Sequence, residues 1–140
     1  DFKNDAVSEL SIPIEVAGDQ LKMNWKQQLT LEHIKATAQD LDGAWLFATR
    51  GPDTGQERRG EENSRKTLKL LMDNTFQWIA YDTESFRFSG TGGGAYSAEN
   101  GIYKEFIEFF SKDNSRVGAD LEFNYSIEGE DWHHTGKNRI

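Results

Sequence analysis

Two adjacent histidines carry the most visible chemical potential in this chain. His133 and His134 stand near the end of a 140-residue sequence with three histidines and no cysteine. Side by side they invite a metal reading. On an extended strand, however, neighbouring side chains point to opposite faces, so the pair does not chelate one ion. His33 lies far away in sequence, and no metal site is expected. Glu105, Glu108, Glu122 and Asp131 are material for a carboxylate pair in acid–base work. Glu105 and Glu108 have odd spacing and face opposite ways unless a bulge intervenes. His134 with a carboxylate would make a small hydrolase or isomerase. No serine-centred nucleophile elbow is present, and acyl transfer has no visible nucleophile. Thr91-Gly92-Gly93-Gly94 looks only superficially like a phosphate cradle, since no Lys-Ser/Thr and no helix follow. These glycines are expected at a bulge or a sharp bend. No cofactor is implied.

The bulk composition narrows the field further. A chain of 140 residues fits one domain and can bury a core without staples. The net charge of −8 repels phosphate backbones and anionic lipid, which argues against nucleic acid and against a membrane surface. No apolar run approaches a bilayer span, so membrane insertion is not expected. The sequence begins at Asp1 and reads as a mature or trimmed product. Nine Phe, four Trp and only two Pro lean towards an all-β domain.

The elements that must position any site read as strands joined by polar turns. Leu10, Ile12, Ile14 and Val16 share one face, Ala17-Gly18-Asp19 turns the chain, and Leu21, Met23 and Trp25 alternate with Lys22, Asn24 and Lys26. This predicts a hairpin with one apolar face. Leu31, Ile34, Ala38 and Leu41 are spaced three, four and three apart, which predicts a short helix over 31–39 with Thr30 as N-cap. Residues 41–47 then open the strand series, with a strand expected over 45–50 and Trp45 expected to plug one end. Residues 51–66 are dense in charge and turn formers. They predict a long loop or a flap over a barrel mouth. Strands follow over 67–72 and 75–81 about an Asp73-Asn74 turn, then over 86–96, 102–110, 120–128 and 132–137. The strict alternation of Leu121, Phe123, Tyr125 and Ile127 with polar neighbours is the clearest half-buried strand. About eight or nine strands are expected, the number that closes a small antiparallel barrel. Its interior would draw on Trp45, Phe76, Trp78, Tyr81, Phe86, Phe88, Tyr96, Tyr103, Phe106, Phe109, Phe123, Tyr125 and Trp132.

Gly43-Ala44-Trp45 resembles the Gly-x-Trp opening of lipocalins and the wider calycins. A run from Lys69 to Asp82 (KLLMDNTFQWIAYD) resembles a family of bacterial lipocalin-like domains without an assigned function. So do the segments FSGTGGGAY from Phe88, EFIEFFS from Glu105 and GEDWHHTGK from Gly129. The resemblance spans about residues 41–137 and carries no catalytic residues. It implies an exported protein, periplasmic or at the cell surface. It also implies an antiparallel lipocalin-like β-barrel with one short N-terminal helix. Residues 1–40 would be a hairpin and helix that complete the barrel or swap into a neighbour, and residues 41–140 the barrel core. The ligand reading that follows is a non-enzymatic binding module for a small apolar or amphipathic molecule. Trp78, Tyr81, Phe88, Tyr96 and Tyr125 would line the mouth. The alternatives are a filled, structural barrel that forms homodimers by strand exchange through the N-terminal hairpin, and the His134 enzyme above. A filled lumen and an open aromatic mouth are equally compatible with these residues.

Overall fold

The computed structural model describes residues 9–49, 59–60 and 62–138. Most of the anticipated flap, residues 51–58 and 61, lies outside the described residues. The described strands are β1 Ile14–Ala17, β2 Gln20–Trp25, β3 Gln27–Glu32, β4 Gly43–Leu46, β5 Arg65–Met72, β6 Thr75–Asp82, β7 Phe88–Glu99, β8 Ile102–Phe110, β9 Asp120–Glu128 and β10 Asp131–Asn138. They form two antiparallel sheets, β1-β2-β3 and β10-β9-β8-β7-β6-β5-β4. The chain divides accordingly into an N-terminal unit and a larger unit that starts at Thr37.

The expected hairpin is present, with Ile14 opposite Met23 and Val16 opposite Leu21. The expected helix over 31–39 is not. β3 replaces its first turn, with Leu21 opposite Leu31 and Met23 opposite Leu29, and residues 33–39 have no regular structure. The reason is local competition. Lys26 takes a left-handed conformation at φ 59°, which returns the chain along β2, where a ladder of backbone partners waits. A nine-residue helix is marginal by itself. Leu29 and Leu31 therefore join Ile14, Val16, Leu21, Met23 and Trp25 on one face by alternation. Ile14 and Val16 on that face are 61% and 72% exposed.

In the larger unit each strand pairs with its sequence neighbours. Asp73 and Asn74 sit at φ 50° and 61°, and Asn100 and Gly101 at 52° and 75°. These are the doubly left-handed hairpin turns whose twist matches the flanking strands. The expected closed barrel does not form among the described residues. β4 pairs only with β5 and β10 only with β9. The sheet nevertheless curls until its two edges face each other, since the Trp45 ring on β4 meets the Trp132 ring on β10 at 5.6 Å, edge to face. Seven strands fall short of the roughly eight that close a small barrel, and two indoles occupy the gap between the edges.

The concave face holds the core. Leu41, Leu71, Phe76, Tyr96, Ala98 and Tyr103 cluster there, with Trp45, Trp78, Phe123, Tyr125 and Trp132 packed against them. The plug at one end is Leu41, which is fully buried; Trp45 is half-buried and donates from Nε1 to the Leu41 carbonyl at 2.8 Å. Gln39 pins the same segment, accepting from the Ala98 amide at 2.6 Å and donating to Asn74 Oδ1 at 2.6 Å. The glycine run does make a bulge, with a register shift between Gly93 and Gly94. That shift leaves Glu108 as the extra residue of β8. Phe110 turns inward against Trp78, their rings 5.2 Å apart. Phe106 and Phe109 face out instead of in, each 42% exposed, and Phe86 and Phe88 are also exposed rather than interior.

Candidate functional site

Strand alternation brings Lys69 of β5, Tyr103 and Glu105 of β8, Phe123 of β9 and Trp132 and His134 of β10 to the concave face. Lys69 Nζ pairs with Glu105 Oε1; the two side chains are only 22% and 10% exposed. The Tyr103 hydroxyl donates to the same carboxylate oxygen at 2.7 Å. Three rings surround the ammonium, with Nζ 4.7 Å from the Tyr103 centroid, 5.2 Å from Phe76 and 5.3 Å from Trp132. A desolvated cation over ring faces gains from their quadrupoles. The His134 ring lies 4.1 Å from Phe123 and 5.5 Å from both Tyr103 and Trp132. The result is an ion pair enclosed by aromatic walls, open to solvent at His134.

Two tyrosines and one histidine on this face are shifted from their ordinary ranges. Burial, then the charge of Glu105, push the Tyr103 phenol far above its ordinary range, so it stays a donor. Burial and the hydrogen bond to Asp42 raise Tyr96 likewise. The His134 imidazole keeps a solvent-exposed edge. Its partial burial against Phe123, Tyr103 and Trp132, with Lys69 nearby, lowers its pKa from 6.5 to about 4, against a smaller opposing pull from Glu105. His134 is thus neutral at pH 7. That disfavours general-base work, which wants a pKa near the operating pH. Glu105 is tied up by Lys69 and Tyr103. The other candidate carboxylates do not join it: Glu108 and Glu122 are exposed and Asp131 is half-buried. The arrangement is suited to holding a polar group rather than to moving a proton.

Linkage fixes the sign of the pH effect. Between 6.5 and about 4 the unfolded His134 binds a proton that the folded one refuses, so stability falls as pH falls through that window. The expected result is an imidazole that titrates well below 6.5 by NMR. A His134→Gln protein should lose less stability than the parent between pH 6.5 and 4. Equal acid sensitivity of the two would contradict the assignment.

The two histidines do point opposite ways. His133 Nε2 is 3.3 Å from Glu128 Oε2 on an exposed surface, while His134 faces the rings. Among the described residues, no three His, Asp or Glu side chains are gathered as a metal group. Of the residues anticipated at a ligand mouth, Trp78, Tyr96 and Tyr125 share the concave face. Trp78 packs on Phe110 and Tyr96 is buried. Tyr81 falls on the opposite face, paired with Phe88 across a bulge, and Phe88 lines a cleft at the end of the sheet away from Leu41. Three of the five border the Lys69 pocket: Trp78 is the register partner of Lys69 and Tyr96 that of Glu105, and Tyr125 lies opposite His134 in the ladder.

Sequence reasoning missed Lys69. β5 carries Leu68, Leu70 and Met72 on its outer face, so alternation alone suggests the reverse orientation. The usable signal is Trp45, the partner of Lys69 in the register, which fixes Lys69 on the same side. One further feature marks the pocket: Trp132 Nε1 is buried without an acceptor among the described residues. No family model and no curated protein matches the chain.

Proposed function

We propose that the chain is a non-enzymatic, lipocalin-like binding module for a small amphipathic ligand, held on the open side of the concave face. Phe123, Tyr125 and Trp132 would take the apolar body. Trp132 Nε1, neutral His134 and the Lys69–Glu105 pair would orient the polar head. The observation that carries this reading is the orphaned indole donor of Trp132 beside a desolvated ion pair. Buried donors nearly always find a partner, and a buried ion pair is a poor way to gain stability. Both make sense as recognition elements. The deep interior is already filled by Leu41, Leu71 and Tyr103, so the ligand would sit in a shallow cup.

A second reading rests on the N-terminal sheet. A three-stranded sheet with one apolar face cannot bury that face alone, and a second copy offers an identical one. In this reading the hairpin makes a homodimer and the larger unit is structural.

Native mass spectrometry of protein purified from its source separates the two. A one-to-one complex with a small molecule, lost in a Trp132→Phe protein of unchanged melting temperature, is expected for binding. A ligand-free dimer would overturn the first reading in favour of the second.

A further inference from the structure

The geometry points to a separate oxyanion site at the other end of the larger sheet, built for a phosphate monoester on a small organic body. A cleft of about 470 Å³ there is lined by Arg65, Asp82, Ser85, Arg87, Phe88, Ser89 and Lys112. Three cations against one carboxylate is a local reversal of sign on a chain of net charge −8. Like charges held in one concavity repel unless an anion joins them, and a cleft focuses their field.

The carboxylate does not neutralise these cations. Asp82 Oδ1 accepts from the Glu84 amide at 2.9 Å, the Ser85 amide at 2.8 Å and the Ser85 hydroxyl at 3.1 Å. Its Oδ2 accepts from the Ser64 hydroxyl at 3.1 Å. These donors hold its pKa below the ordinary value. Among the described residues, none of Arg65, Arg87 and Lys112 has a carboxylate at ion-pair distance. Arg65 Nη1 donates to the Ser89 hydroxyl, which fixes one guanidinium at the cleft wall.

The backbone of the turn after β6 shapes the cleft wall. The Asp82 amide donates to the Arg87 carbonyl at 2.9 Å, closing a turn in which Phe86 adopts φ 55°. A bulky side chain in that region is strained and uncommon. Such strain clusters at binding and switch segments. Lys112 is laid across Gly90, where an added Cβ would stand 2.8 Å from Lys112 Cε. Arginine forks match phosphate oxygens in pairs and lysine adds a point charge. Phe88, 43% exposed, supplies a flat wall for the organic body.

The test is amide-detected NMR titration at constant ionic strength with inorganic phosphate, phenyl phosphate and phenylacetate. Expected are saturable shifts at residues 85–89 and at Lys112, tightest for phenyl phosphate. The double variant R87Q/K112Q should bind about tenfold more weakly or worse with an unchanged melting temperature. Gly90→Ala, which pushes Lys112 aside, should also weaken binding. Shifts that never saturate or that sodium chloride reproduces would overturn the site, as would a double variant that binds like the parent. Equal affinity for phosphate and phenyl phosphate would overturn the organic body, and tighter binding of phenylacetate would overturn the phosphate assignment.

Discussion

Replacing Glu105 by alanine is expected to destabilise the larger unit by about 3–5 kcal/mol, the usual cost of breaking a buried ion pair from one side. The substitution strands two groups at once. Lys69 keeps its charge beneath three rings with no counter-ion, and the Tyr103 hydroxyl, on a ring that is 0% exposed, loses its acceptor. Against a typical stability of about 5–15 kcal/mol, that loss takes a large share. Because the Lys69 side chain retains 22% exposure, it has some access to water, and the lower half of the range is expected. The informative partner is the double variant K69M/E105L. It removes both charges together and should recover the part of the loss that comes from the unpaired Lys69, while the Tyr103 hydroxyl still lacks its acceptor. Urea denaturation monitored by tryptophan fluorescence reads both. A Glu105→Ala protein as stable as the parent would mean that the pair contributes nothing. A double variant as unstable as the single one would place the damage in packing and in the stranded Tyr103 hydroxyl rather than in charge.

Replacing Gly94 by alanine should be as severe for a different reason. A Cβ at that position would stand 2.0 Å from the Phe106 carbonyl oxygen and 2.8 Å from the Glu108 amide nitrogen. Both obstacles are main chain of β8, held in the bulge, and neither can swing away like a side chain. Overpacking in a core typically costs about 1–3 kcal/mol and sometimes more; here the bulge itself must open, so a loss at or above the top of that range is expected. Gly129→Ala is the matched control, since nothing lies within 4 Å of its added methyl. Its own positive φ of 62° should cost only about 1 kcal/mol. Thermal denaturation of the pair reads the difference. Equal losses would show that β7 and β8 can separate at the bulge without penalty.

Where the chain could be read in advance, the governing physics was local. Asp73-Asn74 and Asn100-Gly101 are turn formers that specify their own dihedrals. The 120–128 strand declares itself by strict alternation. Where reading failed, a distant partner decided. Leu31, Ile34, Ala38 and Leu41 have helical spacing, yet β2 captured the first of them into a ladder. Phe110 changes sides because one residue, Glu108, is left over at the bulge. Closure of the tube is a property of the whole sheet, and no window of residues encodes it. The Lys69–Glu105 pair joins residues 36 positions apart, and only the curl of the sheet puts them together. Of the anticipated ligand residues, Trp78 and Tyr96 lie beside the pair, as the register partners of Lys69 and Glu105, because their strands were read correctly. Tyr81 lies on the other face because it alternates with Trp78 and Ala80 along β6, a separation the sequence pattern already shows.

The strand order from β4 to β10 follows the chain without a crossover, and this bears on how the unit folds. No strand has to be inserted between two already in place. From β5 onward each hairpin closes a short loop, whereas β4 and β5 are joined through residues 47–64, and the entropy lost in closing a loop grows with its length. Folding speed falls as contacts become more remote in sequence, so a meander of this kind is among the faster routes open to an all-β chain. The contact between Trp45 and Trp132 is the exception. It spans nearly the whole unit, and it can form only after every intervening ladder has set its twist.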